Sequence, residues 1–397
     1  MITINMRTSV SASSKLYMKI QRCGRHRIIM CARGISSSDI SITQTNNPQP
    51  KTPNEELKFG NVTSDHMLTI QWRKNTKWET PQIRPTQNLS LSPAASCLHY
   101  GLQCFEGMKA YKAVDDTIRL FRPDKNMARL RRSMKALHMP TDDWRDEELL
   151  ECIKELVRVD KSWIPEGEGY SLYLRPTCIA THPFLGLAPP EDVLLYCITS
   201  PVGPYYTSGF QPVRLTADTK QVRAWPGGTG NSKVGGNYGP TMKPAAEAAE
   251  RGYQQVLWLF DDTITEVGAM NVFFVLLNKE TGEKEIITAP LTRGDILPGV
   301  TRLSILDLAR NWTDYKVVER FLTMTEVRNA ASDGRLLEAF GAGTAAVVVP
   351  VSCIEYQGQD IDIPNTTGEV TKRVWDQITG IQYGKIRGPD DTWSVVV

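Results

Sequence analysis

One lysine lies inside an unusual run of glycines. The segment Gly227-Gly228-Thr229-Gly230-Asn231-Ser232-Lys233-Val234-Gly235-Gly236-Asn237-Tyr238-Gly239 sets six glycines in thirteen residues around Lys233. Glycine loses more backbone freedom on ordering than any other residue, so such a loop, if fixed, implies close approach of the backbone to something bound. A caged amine suits Schiff-base chemistry, because a desolvated or electropositive setting lowers its pKa and frees its lone pair at neutral pH. The competing reading is a mobile surface loop with a solvated lysine. A Walker phosphate loop is excluded, since the lysine precedes the Gly235-Gly236 pair and no Gly-Lys-Ser or Gly-Lys-Thr ending follows.

Three further segments of the same half could act with that amine. Glu266, in Thr265-Glu266-Val267-Gly268-Ala269-Met270-Asn271, leads into an apolar run. It is either a solvated turn residue or a carboxylate held against a cation, for which a pyridinium nitrogen is suitable. Pro298-Gly299-Val300-Thr301-Arg302 precedes a predicted helix and offers free N–H groups and a hydroxyl to an anion. Phe340-Gly341-Ala342-Gly343-Thr344-Ala345 reads as a turn before a buried strand and offers a second set of such donors. Each feature is common alone, but a caged lysine, a carboxylate and two anion cups form a coherent set.

The elements that must position them read as α+β. Strands are predicted at 68–72, around turns over 98–111, at 119–121, 170–180 and 193–199, with helices at 124–137 and 147–159 from apolar spacing such as Met127, Leu130, Met134 and Leu137. Pro201, Gly203, Pro204 and Gly209 mark a boundary. The second half continues with a helix over 240–251, two apolar runs at 255–260 and 270–277 read as antiparallel strands, a helix over 303–311 and a strand over 345–351. The domain reading is 1–50 transit peptide and linker, 51–203 a small α+β domain, 204–214 an interdomain loop, and 215–397 a large cofactor-binding domain. Ordered sequence is expected to begin near Phe59.

Composition narrows the class. With 41% hydrophobic and 23% charged residues in 397, the chain is ordinary globular material long enough for two cores. No apolar run has membrane-spanning length, so no membrane is expected. Residues 1–38 hold seven Lys or Arg and no acid, more than the whole formal charge of +2, so the remainder is acidic and nucleic acid is not expected as a partner. That basic, Ser-rich start reads as an organelle transit peptide, hence a mitochondrial matrix location with a cytoplasmic one as alternative. The eight cysteines show no Cys-x-x-Cys and the five histidines are isolated, so neither a disulfide scaffold nor a metal site is expected.

The ordered motifs of 54–397 resemble the branched-chain amino acid aminotransferases, two-domain fold type IV (D-amino acid aminotransferase-like) pyridoxal phosphate enzymes, nearest the eukaryotic group. They include Leu102-Gln103-Cys104-Phe105-Glu106-Gly107-Met108-Lys109-Ala110, Arg119-Leu120-Phe121-Arg122-Pro123, Ser171-Leu172-Tyr173-Leu174-Arg175-Pro176, the lysine loop, Thr265-Glu266-Val267-Gly268, Leu297-Pro298-Gly299-Val300-Thr301-Arg302 and Gly341-Ala342-Gly343-Thr344-Ala345. The resemblance implies pyridoxal 5′-phosphate on Lys233, which also moves the proton between substrate and cofactor. It implies Glu266 at the pyridine nitrogen, Tyr238 at the phenolic oxygen, and Arg129, Val300, Thr301 and Thr344 at the phosphate. The substrate carboxylate is placed on the Thr344–Ala345 turn near Tyr173 and Arg175. Phe59, Tyr100, Phe105, Tyr173, Tyr238, Ala269 and Met270 are placed around the substrate side chain, with Leu185 and Leu187 reaching in from the second subunit of a homodimer. The implied reaction moves an amino group from leucine, isoleucine or valine to 2-oxoglutarate, giving glutamate.

Two positions depart from the family. Ala346 and Val349 stand where animal relatives carry a Cys-x-x-Cys, and Ala269 stands where a pocket threonine is frequent. The rival readings are a D-amino acid aminotransferase or an aminodeoxychorismate lyase on the same fold, and a non-catalytic binding protein that kept it.

Overall fold

The computed structural model describes residues 34–204 and 211–397. The basic segment read as a transit peptide falls mostly outside them. Residues 35–42 are built into the fold, ahead of the irregular and mostly exposed segment 46–53. Ile35 is buried in the first core, and the backbone N–H and hydroxyl of Ser37 both donate to Glu148 at 2.8 Å. Ser41–Ile42 then pairs in parallel with Gln82–Pro85. Ordered chain therefore begins well before Phe59, because apolar Ile35 and Ile40 have a core to pack against.

A first, ten-stranded sheet runs in the order Ser41–Ile42, Gln82–Pro85, His66–Arg73, Asp192–Val202, Ser171–Ala180, Met108–Lys112, Ile118–Phe121 and Ser394–Val396, with two short strands beside this path. Its longest pairing joins Ser171–Ala180 to Asp192–Val202 antiparallel, from Ser171 opposite Val202 to Ala180 opposite Val193. Helices Pro123–Ala136 and Asp146–Val159 cover it, burying Met127, Leu130, Met134, Leu149, Ile153 and Leu156 against Leu68, Ile70, Leu172 and Leu174. The first helix begins with Pro123 at its opening turn, where a missing N–H costs nothing.

The second sheet has nine strands, ordered Thr263–Val267, Gln255–Phe260, Val213–Asp218, Val347–Tyr356, Leu336–Gly343, Met270–Leu277, Lys284–Thr288 and Lys316–Glu319, with one short strand beside this path. Thr263–Val267 also pairs with Met270–Leu277, so the first six strands of that path close on themselves. Closure leaves those strands without an open edge.

Three local expectations change. Ser96–Tyr100 is a helical turn ended by Gly101 at φ +60°, not a strand. The runs at 255–260 and 270–277 are not direct partners, because the strand Thr263–Val267, which carries Glu266, pairs between them. Gly341, Ala342 and Gly343 belong to a strand, and the reversal falls on Thr344–Ala346, just ahead of Val347 at φ +62°. A β-branched residue in that region is strained. The chain also ends where it began: Ser394–Val396 returns to pair with Ile118–Phe121 of the first sheet, so 215–397 is not one closed domain.

Candidate active site

The glycine-rich loop is tied by its own hydrogen bonds and by close backbone packing. Asn237 Nδ2 donates to the carbonyls of Thr229 (2.8 Å) and Ser232 (2.9 Å), and the Thr229 hydroxyl donates to Asn237 Oδ1 at 2.7 Å. A Cβ at Gly230 would meet the Asp295 carbonyl oxygen at 2.6 Å, so close backbone approach requires glycine there. Lys233 itself is held at both ends of its peptide. Its N–H donates to Ser133 Oγ at 2.8 Å, and its carbonyl accepts from the Phe105 N–H at 3.0 Å. The amine then reaches the Tyr238 hydroxyl at 3.2 Å and lies 4.9 Å from the Phe105 ring centroid.

Ser133 belongs to a polar stripe on the buried side of the helix Pro123–Ala136. Asn126, Arg129 and Ser133 recur at three- and four-residue spacing, share one face, and are all buried. Arg129 forks onto Glu106 through Nε to Oε1 and Nη2 to Oε2, each 2.8 Å, while Nη1 donates to the Pro298 carbonyl at 3.1 Å. Asn126 adds a bond to Glu106 Oε2 at 2.8 Å. Burial alone would raise the Glu106 carboxyl, but Arg129 at this range overrides it and holds the pKa below the ordinary glutamate value. A guanidinium has five N–H donors, so Arg129 is aimed with donors to spare.

Glu266 faces Asn271 across paired strands, and its Oε1 accepts from Asn271 Nδ2 at 2.9 Å and from the Leu297 N–H at 3.3 Å. Oε2 lies 2.5 Å from Arg223 Nη1, yet the pair lacks hydrogen-bond alignment, leaving Oε2 a buried acceptor without a donor among the described residues. Burial pushes the Glu266 carboxyl up to about 7 against the pull of Arg223. Next to it the helix Val300–Ala309 starts at Gly299, which has no side chain to cap the Val300 and Thr301 amides. A Cβ on Gly299 would meet Asn271 Oδ1 at 2.1 Å, so this bare helix start and the Glu266 support are packed against each other.

These groups share a cavity of about 350 Å³. Lys233, Tyr238, Glu266, Arg129, Val300, Thr301 and Thr344 line it, as do Phe59, Phe105, Tyr173, Arg175, Ala269, Met270 and Ala345. Tyr173 packs edge-on to Phe59 with centroids 4.8 Å apart and accepts from Arg175 Nη2 at 3.1 Å. A Cβ at Gly107 would strike the Tyr173 hydroxyl at 2.1 Å. Three predicted site residues do not reach this cavity. Tyr100 donates its hydroxyl to the Leu185 carbonyl, and with Leu187, which is 76% exposed, these residues lie on an outer apolar patch that includes Leu98 and Phe184. The resemblance puts Tyr100 inside its own chain's pocket. It sits instead on the helical turn tied to the Pro183–Pro189 loop.

The site also uses residues that sequence reasoning passed over: Glu106, Asn126, Ser133, Arg223 and Asn271. The one readable signal is the helix stripe, because polar residues at apolar-face spacing have to be satisfied by something. Among the described residues no three His, Cys, Asp or Glu cluster for a metal, no helix is long and apolar enough to cross a membrane, and the six cysteines are free and buried.

The cavity fits an aromatic cation bearing an anionic tail. Among the described residues Glu266 Oε2 has only the misaligned Arg223 beside it, Arg129 keeps donors beyond those on Glu106 and Pro298, the Val300 and Thr301 amides have no side-chain cap, and Lys233 lines the same cavity. Comparison with known proteins agrees with that fit. A family model described as amino-transferase class IV matches residues 103–354. The chain is 50% identical over 387 residues to the mitochondrial branched-chain-amino-acid aminotransferase of Saccharomyces cerevisiae, covering 95% of this chain and 97% of that protein. It is 49% identical over 372 residues to the cytosolic form from the same yeast, covering 91% and 98%. Among solved structures, the T.th. branched-chain amino acid aminotransferase with pyridoxamine 5′-phosphate is similar at TM-score 0.64 and 27% identity, over 82% of this chain and 97% of that one.

Proposed function

The chain belongs to the class IV aminotransferases, and from that premise we propose that it exchanges an amino group between branched-chain L-amino acids and 2-oxoglutarate, with pyridoxal 5′-phosphate held at Lys233. The observation that carries this reading is the shared cavity in which the Lys233 amine, the Tyr238 hydroxyl and the donorless Glu266 Oε2 meet. When bound, the cofactor supplies an aldehyde for the amine and an electron sink for the carbon that loses its proton.

The chain's own residues do the rest. Glu266 Oε2, beside the Arg223 guanidinium, would accept a ring N–H and so maintain that nitrogen's proton. The Tyr238 hydroxyl orients the amine and is available to a phenolic oxygen. Arg129, braced by Glu106, holds the phosphate with the Val300 and Thr301 amides and the Thr344 hydroxyl. Lys233 Nζ would take the proton from the substrate α-carbon and deliver it to the carbon that the cofactor contributes as its aldehyde. Substrate carboxylate is received at the Thr344–Ala345 turn beside Tyr173 and Arg175.

Selection among substrates follows from the walls. Phe59, Phe105, Met270 and Ala269 present apolar surface, where each buried methylene is worth about 0.8 kcal/mol. The exposed cluster of Leu98, Tyr100, Phe184, Leu185 and Leu187 closes the equivalent pocket of a second copy in a homodimer. The basic start over residues 1–38 is the segment that would direct the chain to mitochondria, with the cytoplasm as the alternative, since one yeast relative is named mitochondrial and another cytosolic.

Borohydride treatment of the yellow protein followed by peptide mapping tests cofactor and lysine together, with assay of L-leucine and 2-oxoglutarate beside it. The expected outcome is a fixed label on the 227–239 peptide and rapid formation of glutamate. An unlabelled loop, or turnover of D-alanine in preference to L-leucine, would overturn the proposal.

A further inference from the structure

A second cavity of about 230 Å³ lies behind the Thr344–Ala346 turn, and Ala345 and Ala346 line both chambers. Its walls include Val347, Val349, Pro350 and Trp375. Two buried polar side chains face this apolar space, and neither takes part in the chemistry described above.

Lys109 is 6% exposed and gives one N–H to the Ala345 carbonyl at 2.7 Å. An ammonium has three donors, so two remain. Among the described residues no carboxylate stands within ion-pair distance of it, and burial alone pulls its pKa down to about 8. Gln382, at the end of the helix Glu369–Gln382, is 5% exposed, and its Oε1 is buried with no donor among the described residues. Two other polar groups of the chamber are already matched. Glu168 pairs with Lys385 at 2.8 Å, and the Tyr383 hydroxyl donates to the Tyr170 carbonyl while accepting from the Gly169 N–H. A buried cation and a buried acceptor left without complements are costly unless something supplies an anion and a donor.

We propose that this chamber is a second, non-reacting site for one small aliphatic amino acid, its carboxylate on Lys109, its ammonium on Gln382 Oε1 and its side chain against Val347, Val349 and Trp375. The volume admits a leucine-sized molecule and is too small for the roughly 300–1,000 Å³ class of larger ligands. Filling it opposes binding in the first cavity. A carboxylate on the two remaining donors of Lys109 draws the ammonium away from the Ala345 carbonyl and loosens the turn that both chambers share. Linkage makes the effect mutual, so a ligand in the first cavity weakens the second site by the same factor.

The inference goes beyond the transfer reaction, and a binding count tests it without turnover. The probe is radiolabelled L-2-methylleucine, which has the carboxylate, ammonium and aliphatic body but no α-hydrogen to lose. Equilibrium dialysis against the holoenzyme is expected to show two molecules per chain. Gln382→Leu and Lys109→Met should each weaken one of the two at least about tenfold, the effect of losing a charged or buried hydrogen bond. Gln382→Leu keeps the test decisive if the lysine variant does not fold. One or two molecules per chain undiminished in Gln382→Leu overturns the proposal. A single molecule that Gln382→Leu weakens supports the second site and overturns instead the reading of the first cavity.

Discussion

Two buried carboxylates, Glu106 and Glu266, face arginines and are driven in opposite directions. Glu266 is raised to about 7 by burial that Arg223 only partly offsets, so the folded chain binds a proton there that the unfolded chain, titrating near 4.5, has released. Stability of the cofactor-free protein should therefore fall as pH rises from about 4.5 to 7, and Glu266→Gln should flatten that slope in thermal melts across the range. Arg223→Met should leave the carboxyl without its counter-charge, raise it further, and lower turnover on the order of 10- to 100-fold, with partial recovery at higher pH in a kcat profile. Glu106 behaves oppositely. Its pKa lies below the ordinary value, so its contribution is complete above pH 4.5 and is lost below it. Glu106→Gln should cost about 3–5 kcal/mol in urea titrations, as expected for a broken buried pair, and weaken cofactor retention by freeing Arg129. Lys233 and Glu266 stood out in the sequence as candidates through glycine crowding and an apolar run, and the ordered family motifs singled them out. Glu106 and Arg223 did not stand out, since pairings across 23 and 43 positions have no local period and depend on how strands and helix meet.

At the level of elements, the helix Pro123–Ala136 does two jobs on one face: Met127, Leu130 and Met134 fill the core while Asn126, Arg129 and Ser133 brace the site. Its apolar spacing was readable, whereas the polar stripe's partners were not. The start of the helix Val300–Ala309 is equally constrained. Gly299→Ala would press on Asn271 and disturb both the amides and Glu266, so an overpacking cost of about 1–3 kcal/mol and a cofactor affinity lowered roughly tenfold are expected in absorbance titrations. A control lies on the helix Met324–Ser332, whose Thr323 and Glu326 form a reciprocal capping box away from the cavity. Thr323→Ala should cost about 1 kcal/mol of stability with turnover unchanged. Strands and helices with a clear period were readable at nearly their observed bounds. The helical turn Ser96–Tyr100 and the strand Thr263–Val267 were not, because each is too short to establish a period before pairing or a glycine ends it.

For the whole molecule, the exposed leucines and aromatics of the 96–100 turn and the 183–189 loop are the surface expected to meet a second copy. A Leu185→Asp, Leu187→Asp double variant should sediment as a monomer and lose most leucine turnover while its secondary structure, read by circular dichroism, is kept. An active monomer would disconnect that patch from the site. The closing strand was not legible either, since Ser394–Val396 is three residues long and its partner lies more than 270 positions earlier. Trp393 accompanies it, packed edge-on to Phe121 and covered by Arg122 at 4.1 Å, and the Trp393 carbonyl accepts from the Arg122 N–H. A ribosome must therefore finish nearly the whole polypeptide before the first-made sheet can receive its last strand. Termination shortly before Ser394 leaves that sheet open beside Ile118–Phe121, a ready target for quality-control proteases.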